Sequence, residues 1–158
     1  MNCSINIETN AFIVVTRKGR VFVMGCVPVH YGTPILKRGR IIAFTSGKGG
    51  VGKTTISSSL AMLLSKMKKK DGKYHEVLLL DLDTGLRNID VILGIEDDIT
   101  WNLHDVLSKG FPWKQAIVKP KVFPNLSVLV TAQQRSKEEL DSKTFSLFLQ
   151  EVLREYDY

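Results

Sequence analysis

A glycine-rich loop between a short apolar run and a predicted helix constrains the fold of this chain most. Residues 47–54 read Gly-Lys-Gly-Gly-Val-Gly-Lys-Thr, which fits the phosphate-binding pattern Gly-x-x-x-x-Gly-Lys-[Ser/Thr]. Glycines let the backbone approach phosphate oxygens closely, and the N-terminus of the following helix adds a positive dipole end. The loop therefore predicts a site for a nucleoside triphosphate with Mg²⁺.

Each residue type of this loop has a physical task. We expect Lys53 to contact the β- and γ-phosphates and the Thr54 hydroxyl to ligate Mg²⁺. The expected nucleotide contacts come from the loop and the first helical turn: Lys48, Gly49, Gly50, Val51, Gly52, Lys53, Thr54 and Thr55.

The order of predicted elements indicates an α/β fold. Residues 41–44 form a short apolar run, residues 56–67 repeat apolar side chains at helical spacing, and 77–80 form a continuous apolar run typical of a buried strand. A further strand is predicted at 126–130, followed by a helix through Leu153. This order predicts a Rossmann-like, three-layer α/β/α P-loop fold with a mostly parallel sheet, incomplete at its C-terminus.

Two acids follow the second predicted strand. Asp81 and Asp83 should lie near the phosphates, because ligands of parallel sheets gather at the carboxyl ends of the strands. One acid would act on Mg²⁺, directly or through water, and the other would orient the attacking water. For Asp81, a role as a helix cap stays open.

Residues 1–39 differ from the rest and are predicted to be a separate extension preceding the N-terminal part of a P-loop domain at 40–158. Residues 1–40 hold six Lys or Arg side chains and one acid, Glu8, and two β-prone runs there predict a hairpin. A plastid-targeting segment and an extension without a role both stay open. The balanced charge of the remaining chain does not support nucleic-acid binding.

Three other features each allow a structural and a functional interpretation. Lysines 66 and 68–70 are expected at a solvated helix end closed by Gly72, with a nucleic-acid patch as the alternative. His104 is expected on the surface rather than in a metal site, and the last helix is expected to face the core rather than a membrane surface.

The loop resembles that of the deviant Walker A ATPases, the ParA/MinD group, which carry an additional lysine at the position of Lys48. Within the group, residues 81–94 (Asp-Leu-Asp-Thr-Gly-Leu-Arg-Asn-Ile-Asp-Val-Ile-Leu-Gly) are most similar to the MinD branch. ParA proteins usually have Pro-Gln-Gly after the two acids, and Mrp-type carriers have Gly-Pro-Ser. The resemblance covers about residues 40–158.

This resemblance implies catalytic roles for Lys48, Lys53 and Asp83. Lys48 would reach the partner's phosphates in an ATP-bound homodimer, and Asp83 would position the lytic water and act on Mg²⁺ together with Thr54. The family's partners are MinC and MinE. Its members are cytoplasmic and attach peripherally to the inner membrane through a C-terminal helix.

The chain departs from the family pattern in its N-terminal extension, in a longer turn at 68–75, and at Thr84, where an aliphatic residue is common. It stops at Tyr158, before the positions of the family's switch II, adenine contacts and membrane helix. We therefore expect weak nucleotide binding and poor hydrolysis by this chain. A ParA-type or flagellar-placement ATPase and a non-catalytic fragment remain alternatives.

Overall fold

The computed structural model describes residues 13–17, 20–24, 39–44, 50–82, 88–131 and 142–158. Near the N-terminus, β1 (Ile13–Arg17) and β2 (Arg20–Met24) pair antiparallel, with Ile13 opposite Met24. A second pair, β3 (Val77–Asp81) and β4 (Leu126–Val130), is parallel, and its register runs from Val77 opposite Leu126 to Asp81 opposite Val130.

The second strand pair forms the centre of the fold. All residues of β4 are buried, as expected for an apolar strand covered on both faces. On its far side, Val118 and Val128 exchange backbone hydrogen bonds of 2.9 and 2.8 Å in an antiparallel bridge. The parallel geometry predicted from the sequence is confirmed, although the sheet is small.

In the part of the chain that the structure describes, four α-helices and two 3₁₀ turns accompany the strands. They are α1 (Lys53–Lys66), α2 (Ile89–Leu93), α3 (Leu103–Lys109) and α4 (Ser142–Glu155), with 3₁₀ turns at Glu96–Asp98 and Trp113–Gln115. Within the described residues, no helix combines the length and apolar character needed to cross a bilayer.

Helix α1 ends earlier than Gly72, so the prediction of a lysine-rich last turn is wrong for three of its lysines. The chain becomes extended at Met67, Lys68 bridges to Tyr74, and the His75 amide donates to the Met67 carbonyl at 3.1 Å. Residues 68–70 therefore lie in a hairpin-like turn that leads into β3. Pairing across this turn satisfies the backbone groups that a longer helix would have used.

The face that α1 buries is its small-residue face. Ser58, Ala61 and Ser65 are buried, whereas Ile56 and Leu63 are exposed by more than half of their surface. Both serine hydroxyls donate to backbone carbonyls of the same helix. Ser58 donates to Thr54 at 2.7 Å, and Ser65 donates to Met62 at 2.8 Å. A serine whose hydroxyl is bonded in this way can be buried at little cost.

The largest core cluster lies under α4. Four of its residues, Phe145, Phe148, Leu149 and Val152, repeat at helical spacing and are buried with Leu103 of α3. The expectation of a core-facing last helix is confirmed. Ser136 and Glu139, whose spacing fits a helix-capping box, lie outside the described residues.

The last three residues lie between two other segments. The Asp157 carbonyl accepts from the Arg40 amide at 2.8 Å, and the Asp157 amide donates to the Glu76 carbonyl at 2.8 Å. The Leu78 amide then donates to the Tyr158 carbonyl at 2.9 Å. Residues 41–44, predicted as a strand, belong to neither a helix nor a strand. Among the described residues, the pairing with the end of the chain involves residues 39 and 40.

Candidate nucleotide site

The loop before α1 turns through two glycines in the left-handed region. Gly50 has φ 72° and Gly52 has φ 86°, a conformation that side chains with a Cβ rarely adopt. No atom within 4 Å would meet a Cβ at Gly50, so backbone conformation, not crowding, requires glycine there. Gly50 and Gly52 of the sequence pattern therefore allow the backbone turn that leads into α1.

The first turn of α1 presents positive groups. The first bond inside the helix runs from the Ile56 amide to the Gly52 carbonyl at 2.9 Å, so the amides of 53–55 have no acceptor within the helix. No acidic residue lies in this turn. Lys53 and Thr54 are half-buried, and Val51 and Thr55 are exposed. Such a helix start attracts anions.

Two serines hold this first turn in place. The Thr54 carbonyl accepts from the Ser57 hydroxyl at 3.1 Å and from the Ser58 hydroxyl at 2.7 Å. Ser58 is fully buried, so its bond is shielded from water. The sequence analysis missed this role, although the serine run 57–59 is unusual in a helix interior.

The carboxyl ends of the two parallel strands place two more polar residues side by side. Asp81, the last residue of β3, is buried, and its carbonyl accepts from the Thr131 amide at 3.1 Å. Thr131 is also buried, and its hydroxyl has no hydrogen-bond partner in the described structure. Sequence reasoning found Asp81 but missed Thr131, whose only signal is its place directly after β4.

Several predicted site residues lie outside the described residues, namely Lys48, Gly49 and Asp83. Their assignments stay predictions. His104 lies in the first turn of α3, where its amide donates to the Asn102 side chain at 2.9 Å. No group of three His, Cys, Asp or Glu side chains in the described part of the chain could hold a metal ion.

Comparison with known proteins agrees with this arrangement. A family model described as an AAA domain matches residues 39–158. The septum site-determining protein MinD of Synechocystis is 41% identical over 119 residues, which are 75% of this chain and 42% of that protein. MinD of Bacillus subtilis is 41% identical over 121 residues, or 76% of this chain and 43% of that protein.

Solved structures give the same result. The MinC:MinD cell division protein complex of Aquifex aeolicus aligns with a TM-score of 0.60 and 35% identity, over 72% of this chain and 42% of that chain. MinD of Pyrococcus horikoshii, complexed with Mg-ADP, aligns with a TM-score of 0.58 and 29% identity, over 72% and 44% respectively.

The family model covers most of the chain, and the match begins where the N-terminal extension was predicted to end. The chain spans about two fifths of the length of the curated relatives it matches. The names of these relatives and the shared P-loop fold agree with the resemblance that the loop and residues 81–94 show to the MinD branch. The chain therefore belongs to the AAA domain family and, within it, is similar to the MinD septum site-determining proteins.

Proposed function

We propose that this chain binds ATP with Mg²⁺ as the phosphate-binding part of a MinD-type ATPase that acts in placement of the division septum. The observation that carries the proposal is the pair of left-handed glycines leading directly into a helix start without acids. A buried carboxylate, Asp81, lies at the end of the neighbouring strand. The match to a MinD protein complexed with Mg-ADP supports the same ligand.

The described residues also fit Mg²⁺. This ion prefers oxygen donors, and the Thr54 hydroxyl and the Asp81 carboxylate supply them, the latter through water. The Thr131 hydroxyl is a further buried oxygen without a partner in the described structure. When bound, the ion would offset negative charge on the phosphates.

The other roles follow from charge and position. Lys53 would bind the β- and γ-phosphates at the start of α1, while Asp83 would orient the attacking water. Lys48 would act across an ATP-bound homodimer, so that hydrolysis depends on dimerisation. By analogy with the MinC:MinD complex, the assembled protein would bind MinC, and we extend this to MinE and to peripheral attachment at the inner membrane.

The nucleotide part of the proposal is tested by thermal unfolding with and without ATP and Mg²⁺. At a ligand concentration of about 100 times Kd, binding stabilises a protein by about 2.7 kcal/mol. We expect the midpoint of the native chain to rise with ATP and Lys53→Ala to lose this rise. Lys70→Ala, which removes an exposed lysine at the other end of the sheet, should keep it.

An equal rise in the native chain and in Lys53→Ala would contradict the site assignment. Phosphate release then tests hydrolysis, and Lys48→Ala should reduce release because this lysine would act across the homodimer. ATP-dependent capture of MinC would support the division role. ATP-dependent retention on DNA without MinC binding would instead favour a ParA-type positioning ATPase.

A further inference from the structure

Two turns meet at the edge of the sheet opposite the nucleotide site. Residues 66–75 precede β3 and residues 119–125 precede β4. Because these strands are parallel and in register, both turns lie at the same edge, where the Val77 amide donates to the Asn125 carbonyl at 3.0 Å. We call these two turns the lysine edge.

The lysine edge is strongly positive, with seven lysines against one acid, Asp71. Its seven lysines are Lys66, Lys68, Lys69, Lys70, Lys73, Lys119 and Lys121. Lys69 pairs with Asp157 at 2.9 Å, which raises the pKa of the lysine, chiefly through that hydrogen bond. The other six form no ion pair with any described residue, so their charge is available to an anionic partner.

Apolar side chains project between these lysines. Val122 is 73% exposed, Met67 is 48% exposed and Tyr74 is 45% exposed. Val122 directly follows Lys121, at the tip of a turn that is closed by a 2.9 Å bond from the Phe123 amide to the Pro120 carbonyl. Lysines flanking an exposed aliphatic tip can bind headgroup phosphates while the tip enters the acyl boundary.

The backbone holds both turns in one conformation. The Lys69 amide donates to the Lys73 carbonyl at 2.7 Å, and the Gly72 amide donates to the Lys69 carbonyl at 3.0 Å. Little conformational freedom is then lost on binding, which favours association.

Other anionic partners fit less well. A lysine already occupies one face of each aromatic ring that could stack on bases, since the Lys66 ammonium lies 4.6 Å from the centre of the Phe123 ring and the Lys68 ammonium 5.4 Å from that of Tyr74. The edge contains no arginine, the side chain that best recognises phosphates in a bidentate manner. Protein interfaces, in turn, are depleted in lysine.

We propose that the lysine edge binds a membrane surface of anionic lipid, with the lysines on headgroup phosphates and Val122 inserted between them. The contact is independent of the nucleotide site and of any C-terminal helix, because it uses only residues 66–75 and 119–123. It would turn the carboxyl edge of the sheet, with Asp81 and Thr131, away from the membrane.

The test is cosedimentation of the full chain, without nucleotide, with phosphatidylcholine vesicles and with vesicles that also contain phosphatidylserine. We expect pelleting only with the anionic vesicles, weakening as salt rises. Lys121→Gln should weaken partitioning about fivefold and Lys119→Gln/Lys121→Gln about 30-fold, from the contribution of each lysine near an anionic surface. Val122→Ser should weaken it while leaving the salt dependence unchanged.

Lys143→Gln is the matched control, since it removes an exposed lysine at the N-terminal end of α4, away from the lysine edge. Its partitioning should equal that of the native chain. Equal weakening by Lys143→Gln and Lys121→Gln, or no pelleting with anionic vesicles, would overturn the proposal. So would retention on double-stranded DNA in place of vesicles, which would assign the edge to nucleic acid.

Discussion

At the scale of the residue, Gly52 and Gly72 offer a matched comparison. Both have a left-handed backbone, with φ 86° and φ 82°, and neither would bring a Cβ closer than 4.0 Å to another atom. Gly52 precedes α1 in the phosphate loop, whereas Gly72 lies in the lysine edge. A side chain would be equally strained at the two positions, but only Gly52 lies beside the nucleotide site.

We predict that Gly52→Ala and Gly72→Ala each lower the free energy of unfolding by about 1–2 kcal/mol, the cost of placing a Cβ in this region. Only Gly52→Ala should also reduce the rise in melting temperature produced by ATP and Mg²⁺. Thermal unfolding of both variants with and without nucleotide measures the two effects. Equal loss of the nucleotide effect would show that it reflects stability alone.

The sequence predicted the site residues unequally, for a physical reason. The glycines and Lys53 stand in a pattern whose spacing is dictated by the phosphates, so the pattern predicts them without knowledge of the fold. Thr131 and Ser58 are in no such pattern. Their positions come from strand pairing and from a bond within α1, which follow only once the elements are packed.

At the scale of the element, α3 shows how local bonds define a short helix. The Asn102 side chain accepts from the His104 and Asp105 amides, and the Asp105 carboxylate accepts from the Asn102 amide at 3.1 Å. The Lys109 ammonium donates to the same carboxylate at 2.7 Å, which lowers the pKa of Asp105 below its usual value. The spacing of Leu103, Val106 and Leu107 predicts a helical segment from about residue 100, whereas the observed cap is Asn102.

We predict that Asp105→Asn destabilises the chain by about 0.5–1 kcal/mol at neutral pH, because the amide oxygen can still accept from the Asn102 amide but the ion pair with Lys109 is lost. Because the pKa of Asp105 is lowered in the folded state, its contribution is present above the unfolded value of about 3.9 and is lost as pH falls through the folded value. Urea unfolding across this range should therefore show the difference between native and variant shrinking in acid. A difference that grows below pH 4 would contradict the assignment.

Strands and helices differed in how well the sequence placed them. Strand β4 was predicted with its observed bounds, because four of its five residues are apolar and such a run suits a strand buried in a parallel sheet. The apolar repeat of α1 correctly predicted a helix, but the residues that face the sheet are small ones. Periodicity identifies a helix, while close approach to a sheet depends on side-chain size.

At the scale of the whole molecule, Tyr156 joins α4 to the sheet. Its ring is buried in the core cluster at 6.3 Å from that of Trp113, and its hydroxyl donates to the Ser127 hydroxyl of β4 at 3.0 Å. One side chain thus contacts elements distant in sequence. Residue type alone could not have identified Tyr156 as a core residue, since another tyrosine, Tyr74, is exposed.

We predict that Tyr156→Ala lowers the free energy of unfolding by about 3–5 kcal/mol, as for other large core side chains. Tyr156→Phe should lose about 1 kcal/mol, because it removes only the hydrogen bond. Tyr74→Ala, the exposed control, should change it by less than about 0.5 kcal/mol. Denaturant titration measures all three, and a Tyr74→Ala loss as large as that of Tyr156→Ala would refute this explanation.

The bonds that place Asp157 between Arg40 and Glu76 also bear on how the chain reaches its folded state. In the described structure, the amides of residues 39 and 40, which begin the family domain, donate to the carbonyls of residues 153 and 157. During synthesis the phosphate loop therefore leaves the ribosome long before its preceding segment can be anchored. Closing so long a stretch of chain is entropically slow, so we expect docking of this segment to be a late step in folding.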